Sequence, residues 1–162
     1  MKRVSQLTAL TAALGLAAFS SFAAEMAPSL TLTALQQQQG ALIDTRASAF
    51  YNGWPQTLNG PSGHEPAALN LSASWLGAMN ETQLKAWASQ HQLTPTTLVA
   101  LYGSDSDNQA VKARLNQAGF SQVTLLSDAL QTPARLQRLA HFEQLVYPQW
   151  LHQLQQGKPV TA

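Results

Sequence analysis

Apolar residues along the chain fall into two alternating patterns. Short, nearly continuous β-prone runs occur at "ALID" (residues 41–44), "TLVALY" (97–102) and "QVTLL" (122–126), with "AALNL" (67–71) as a fourth. Runs without polar alternation suit strands buried on both faces. Between them the spacing turns helical. "NETQLKAWASQHQ" opens on Asn80 with Gln83 three residues later, a capping-box arrangement, and sets Leu84 and Trp87 on one face. "DNQAVKARLNQAG" places Val111, Leu115 and Ala118 at spacings of four and three, with Gly119 as a stop that tolerates a left-handed conformation. Strand and helix in alternation predict an α/β fold: right-handed crossovers, an open, mostly parallel sheet, and helices on both faces. Ligands in such sheets bind beyond the carboxyl ends of the strands, which here means the loops after Asp44 and Tyr102.

The first residues read differently. Met1, Lys2 and Arg3 form a basic start, "LTALTAALGLAAF" is a short apolar stretch, and Ser21 with Ala23 supplies the small residues a signal peptidase reads. Residues 1–23 are therefore expected to be a signal peptide cleaved after Ala23, leaving a periplasmic or secreted chain. The apolar stretch is too short to span a bilayer comfortably and no second one follows, so no membrane anchor is expected. Loss of Lys2 and Arg3 leaves seven basic residues against eight acidic ones. With no run of Lys or Arg there is no footprint for nucleic acid. The 162 residues contain no cysteine, so disulfides and thiol chemistry are both excluded, and a single core must hold the domain.

The stretch "VALYGSDSDNQAVKARLNQAGF" (residues 99–120) runs from strand through a polar loop into a helix, a junction at which many enzymes carry a nucleophile. A helix beginning near Asp107 would offer unpaired N–H groups to an anion. Asp105 and Asp107 oppose that use and are expected to serve the helix N-terminus themselves, as caps and dipole partners, while Asn108 supplies no cation. A calcium loop counted from Asp105 fails, because Ala110 stands where the turn glycine belongs and Asn116 where a bidentate Glu is needed. A Walker-type phosphate loop fails for want of further glycines and a Gly-Lys-Ser/Thr ending. Ser104 and Ser106 have no base placed beside them, so hydrolysis through either is not favoured. His64, His91, His141 and His152 are scattered, and neither a metal nor a cofactor is expected. Trp54, Trp75, Trp87 and Trp150 read as core or domain-contact residues, and the Asn-x-Ser/Thr matches at Asn70 and Asn80 matter only where exported proteins are glycosylated.

Three segments together resemble the rhodaneses, the thiosulfate sulfurtransferases. "LIDTRASAFYNG" (42–53) is similar to their Asp-x-Arg segment and "GHEPAALNL" (63–71) to their Gly-His-x-Pro-Gly-Ala-x-Asn segment, while residues 99–130 match the order of active-site strand, loop, helix and final strand. The resemblance implies a rhodanese-like fold. It also implies chemistry in which a Cys opening a six-residue loop takes up a sulfane sulfur as a persulfide. By position that Cys falls on Gly103, the loop glycine on Ser106 and the loop arginine on Asn108. The degenerate loop therefore comprises Gly103, Ser104, Asp105, Ser106, Asp107 and Asn108, with two carboxylates added where an anion would bind. Asp44, Arg46, Gly63 and His64 keep family positions; Asp44 and Arg46 are read as fixing the loop beside the former pocket, and His64 as a hydrogen-bonded structural histidine.

"LVYPQWLHQLQQG" (145–157) echoes "SLTLTALQQQQG" (29–40): each passes from an extended segment into a short Gln-rich helix that ends in Gly. In tandem rhodaneses that pattern opens a domain. The expected organisation is thus a signal peptide (1–23), a rhodanese-like domain lacking the Cys (24–143), and a linker or the start of a truncated second repeat (144–162). The function expected is a non-catalytic domain of an exported sulfurtransferase-type protein, its partners the downstream rhodanese domains. The alternative is a free-standing binding module using the Arg46 and His64 side of the old pocket for an unidentified small ligand.

Overall fold

In the computed structural model of the chain, residues 30–146 and 148–157 are described. The proposed signal peptide and the final "KPVTA" lie outside them, as does the side chain of Trp150. Four strands, β1 (Ala41–Asp44), β2 (Leu69–Asn70), β3 (Val99–Tyr102) and β4 (Val123–Leu125), form one sheet in the order β2-β1-β3-β4. Every pairing is parallel, with Ile43 beside both Leu69 and Leu101, and Ala100 beside Thr124. The helices are α1 (Leu32–Gln37), α2 (Ser48–Asn52), α3 (Ala73–Leu76), α4 (Glu81–Gln90), α5 (Asp105–Gln117) and α6 (Pro148–Gln155), with single 3-10 turns at Pro133–Arg135 and Phe142–Gln144.

The unbroken apolar runs have the cause read from them. Successive strand residues point to opposite faces, so Ile43, Val99 and Leu101 enter one core with Leu84 and Ala88 of α4 and Val111 and Leu115 of α5. Leu42, Ala100 and Tyr102 enter the other core with Leu32 and Leu35 of α1. All four residues of β3 are buried because that strand has a sheet neighbour on each side and a layer above and below. Helix α4 begins as the pattern indicates: Asn80 Oδ1 accepts from Gln83 N–H at 2.9 Å, and Gln83 Oε1 accepts from Asn80 N–H at 2.9 Å. Trp87 packs half-buried against the first core, Trp54 meets Phe142 edge-on at 4.6 Å, and Trp75 is exposed.

Two expectations need correction. The fourth strand shrinks from five residues to Leu69–Asn70. Pro66 has no N–H to give a ladder, Ala67 takes a positive φ of 62°, and Ala68 N–H turns back to Glu65 O at 3.0 Å, so a turn consumes the start of the run. Helix α5 begins at Asp105, two residues before the position expected, for a reason that lies in the site.

After β4 the chain forms a strap, residues 126–142, bonded to the segment before α1, to the His64 loop and to the end of α2. Leu30 bridges Leu126 in parallel, giving its N–H to Leu125 O and accepting from Ser127 N–H, and Asp128 Oδ1 accepts from Leu32 N–H at the start of α1. Further along, Gln137 pairs with His64 in an antiparallel bridge, and Leu139 N–H reaches Asn52 O at 2.9 Å.

Candidate functional site

The carboxyl ends of β1 and β3 place Asp44 and Tyr102 side by side in register, and the segments that leave these two strand ends build the site. Asp44 and Arg46 are both buried and joined at 2.6 Å. Asp44 Oδ1 also accepts from Arg46 N–H, and Arg46 Nη2 donates to Gly63 O at 2.7 Å. The segment after β1 is thereby folded onto itself and tied to the Gly63 loop. Burial alone would push the Arg46 guanidinium down, but the bonded, charged Asp44 outweighs it and holds the group above its ordinary value. His64 is nearly buried, its Nδ1 2.7 Å from Tyr51 O and its ring stacked on Tyr51 at 3.8 Å. Arg46 Nε and Nη2 and His64 Nδ1 are thus engaged by Asp44 and by the Gly63 and Tyr51 carbonyls. Burial, reinforced by the Asp44 charge, raises the Tyr51 and Tyr102 hydroxyls above the usual phenol range, so both stay neutral. Tyr102 OH accepts from Glu65 N–H at 3.1 Å.

The loop itself has become helix. Ser104 is the N-cap, its Oγ accepting from Asp107 N–H at 3.2 Å, and Asn108 N–H closes the first helical bond on Ser104 O at 2.9 Å. The expectation that Asp105 and Asp107 act as caps is corrected: a serine one residue earlier takes that part, and the two carboxylates occupy the first turn, where they oppose the helix dipole's positive end. Two of the loop's amides are thus spent within α5, Asp107 N–H on Ser104 Oγ and Asn108 N–H on Ser104 O. Asn108 is buried with its Oδ1 2.9 Å from Thr45 Oγ1.

Gly103 lies at the surface with φ of 151°, a conformation L-residues rarely adopt, and a Cβ built there would overlap Thr45 Oγ1. Beside it is an open recess of about 200 Å³ lined by Tyr102, Gly103, Asp105, Asn108, Leu126 and Leu130 among others, with no Lys or Arg. The Asp105 carboxylate in that lining, with no cation beside it, disfavours an anion there. Among the described residues no group of three or more His, Cys, Asp or Glu side chains is assembled for a metal.

The structure also assembles a cluster the sequence does not advertise. Glu65 is fully buried, accepting from Leu130 N–H at 2.6 Å and from Arg135 Nε and Nη2 at 2.7 and 2.9 Å. A lone acid between His64 and Pro66 in an otherwise apolar stretch is the signal the sequence offers. Its partner stands 70 positions away in the strap, beyond the reach of any local pattern.

No family model matches the sequence. Thiosulfate sulfurtransferase YnjE of Escherichia coli (strain K12) is 69% identical to this chain over all 162 residues, and the chain spans 37% of that protein's length. In the crystal structure of YnjE the matching part covers 88% of this chain and 34% of that one, with a TM-score of 0.74 and 68% identity. The structure of EanB aligns with a TM-score of 0.63 at 24% identity, over 82% of this chain and 32% of its own, a likeness of fold alone. The same holds for the anaerobic ergothioneine biosynthesis enzyme from Chlorobium limicola, at 22% identity, a TM-score of 0.63, and coverage of 82% and 33%.

Proposed function

Because this chain is a rhodanese-like domain homologous to one segment of a thiosulfate sulfurtransferase, we propose that it is a non-catalytic unit of an exported protein of that type, holding partner domains rather than transferring sulfur. The carrying observation is the loop after β3: glycine stands at the nucleophile's position, and the residues that would cradle a persulfide form the first turn of α5. A chain without cysteine has no thiolate to attack the sulfane sulfur of thiosulfate.

A contact role is supported by where apolar surface is left. Leu139, Leu145, Val146, Leu151 and Leu154 are all exposed and lie in the strap, the segment after it and α6. In α1, the helix whose pattern α6 repeats, Leu32 and Leu35 are covered by the sheet that follows in sequence. The partner surface we propose is a second rhodanese-like sheet in a longer protein, meeting α6 as this sheet meets α1. Export to the periplasm or beyond rests on the tripartite pattern of residues 1–23. The competing reading, a ligand bound beside Arg46 and His64, draws less support, because Asp44, Gly63 and Tyr51 already engage Arg46 Nη2 and His64 Nδ1.

The test is made on the purified chain. Thiocyanate production from thiosulfate and cyanide should not exceed the rate without protein. The chain should bind a hydrophobic dye, and Leu151→Asp with Leu154→Asp should remove much of that signal without changing the thermal midpoint by more than a few degrees. Sulfur transfer by the chain, or a monomer that binds no dye, would overturn the proposal.

A further inference from the structure

The position facing the recess is closed from beneath as well as stripped of its nucleophile. Thr45 follows β1 and is almost wholly buried, with its Oγ1 3.0 Å from Tyr102 O and 2.9 Å from Asn108 Oδ1, its single proton shared between them. The same Oγ1 occupies the volume into which a Cβ on residue 103 would project, and Thr45 Cβ and Arg46 Cγ stand 3.4 and 3.5 Å from that point. Thr45 is β-branched and has little rotamer freedom, its backbone N–H is bonded to Tyr102 O at 2.9 Å, and Arg46 beside it is fixed by Asp44. It cannot retreat without breaking the bonds that join the ends of β1 and β3 to α5.

We infer that Thr45, braced by Asn108, is a plug that excludes every side chain from position 103, so that restoring cysteine there does not by itself rebuild a sulfur-accepting site. This rests on reading position 103 as the family's nucleophile position, and its consequence is specific. The cost of a side chain at 103 has two parts: a backbone held at φ of 151°, and overlap with Thr45. Removing the Thr45 hydroxyl relieves only the second.

A double-mutant cycle separates them. Gly103→Ala should raise the unfolding equilibrium constant roughly 100-fold, from strain and overpacking together. In the Thr45→Ala background the same change should raise it only roughly tenfold, the part left by backbone strain. Gly103→Cys should behave in parallel, and its thiol, alone in the chain, can be counted with an aromatic disulfide reagent in urea to show that it is reduced. Equal penalties in the two backgrounds, or Gly103→Ala at wild-type stability, would overturn the plug. Neither result bears on whether the unmutated chain transfers sulfur, which the thiocyanate assay decides.

Discussion

Glu65→Gln tests how the strap is held. The substitution keeps the shape of a fully buried side chain that accepts three hydrogen bonds, from Leu130 N–H and from both Arg135 nitrogens, but removes the charge. Its amide nitrogen must then face one of those donors. Breaking a buried ion pair by neutralising one partner costs about 3–5 kcal/mol. Here the lower end applies, about 3 kcal/mol, because the Arg135 side chain keeps 34% of its surface in water and its guanidinium can be solvated once released. With a denaturant slope of about 2 kcal/mol/M, the urea midpoint should fall by about 1.5 M. The thermal midpoint should fall by about 12 °C, taking about 4 °C per kcal/mol for a domain of this size. The loss should also be local: amide exchange at Leu130, Gln137 and His64 should quicken before exchange in β3, since those amides are bonded within or against the strap. A midpoint shift below about 0.5 M, which is about 1 kcal/mol at that slope, would show that the carboxylate does not fasten the strap.

Arg46→Lys replaces a fork that spans Asp44 and Gly63 O with one ammonium, and calorimetry should show a loss of about 2 kcal/mol. Arg46→Ala, which leaves the Asp44 carboxylate buried without its counter-charge, should cost about 3–5 kcal/mol. Alkali should destabilise the fold because burial raises the Tyr102 hydroxyl above its ordinary pKa. The folded state therefore holds that proton more tightly than the unfolded chain, and stability falls as pH rises through and beyond about 10. Tyr102→Phe should flatten that slope in urea titrations between about pH 9 and 11, short of abolishing it because Tyr51 is raised in the same direction. Asn80→Ala removes the side-chain half of the two-way cap at α4, leaving the Asn80 N–H bond to Gln83, and should cost about 1 kcal/mol by chemical denaturation, with exchange quickened in the first turn of that helix.

Three of the four strands and the two long helices are legible because burial on both faces and helical spacing are local properties of the sequence, visible in "ALID" and "VALY" without knowledge of what they touch. The site is legible in outline for the same reason: Gly103, the two aspartates and Asn108 are contiguous, and their chemistry can be judged from residue types. The start of α5 is not, because Ser104 and Asp107 both have capping side chains, and only the geometry at the end of β3 decides between them. Thr45 gives no sign, since its hydroxyl matters only once the ends of β1 and β3 are adjacent. Glu65 and Arg135 illustrate the general limit: an ion pair between a loop and a strap is a property of topology, and no period in the sequence encodes it.

The bridge between Leu30 and Leu126 has the geometry of a shear clasp. The two segments run parallel, so a pull toward the amino end at Leu30 and toward the carboxyl end past Leu126 loads their two hydrogen bonds together, with Asp128 bonded beside them at Leu32. Tension applied between Leu30 and Leu126 loads that seam before it stretches β1 or β3. An edge clasped in this way resists shear through both bonds at once rather than peeling them one at a time.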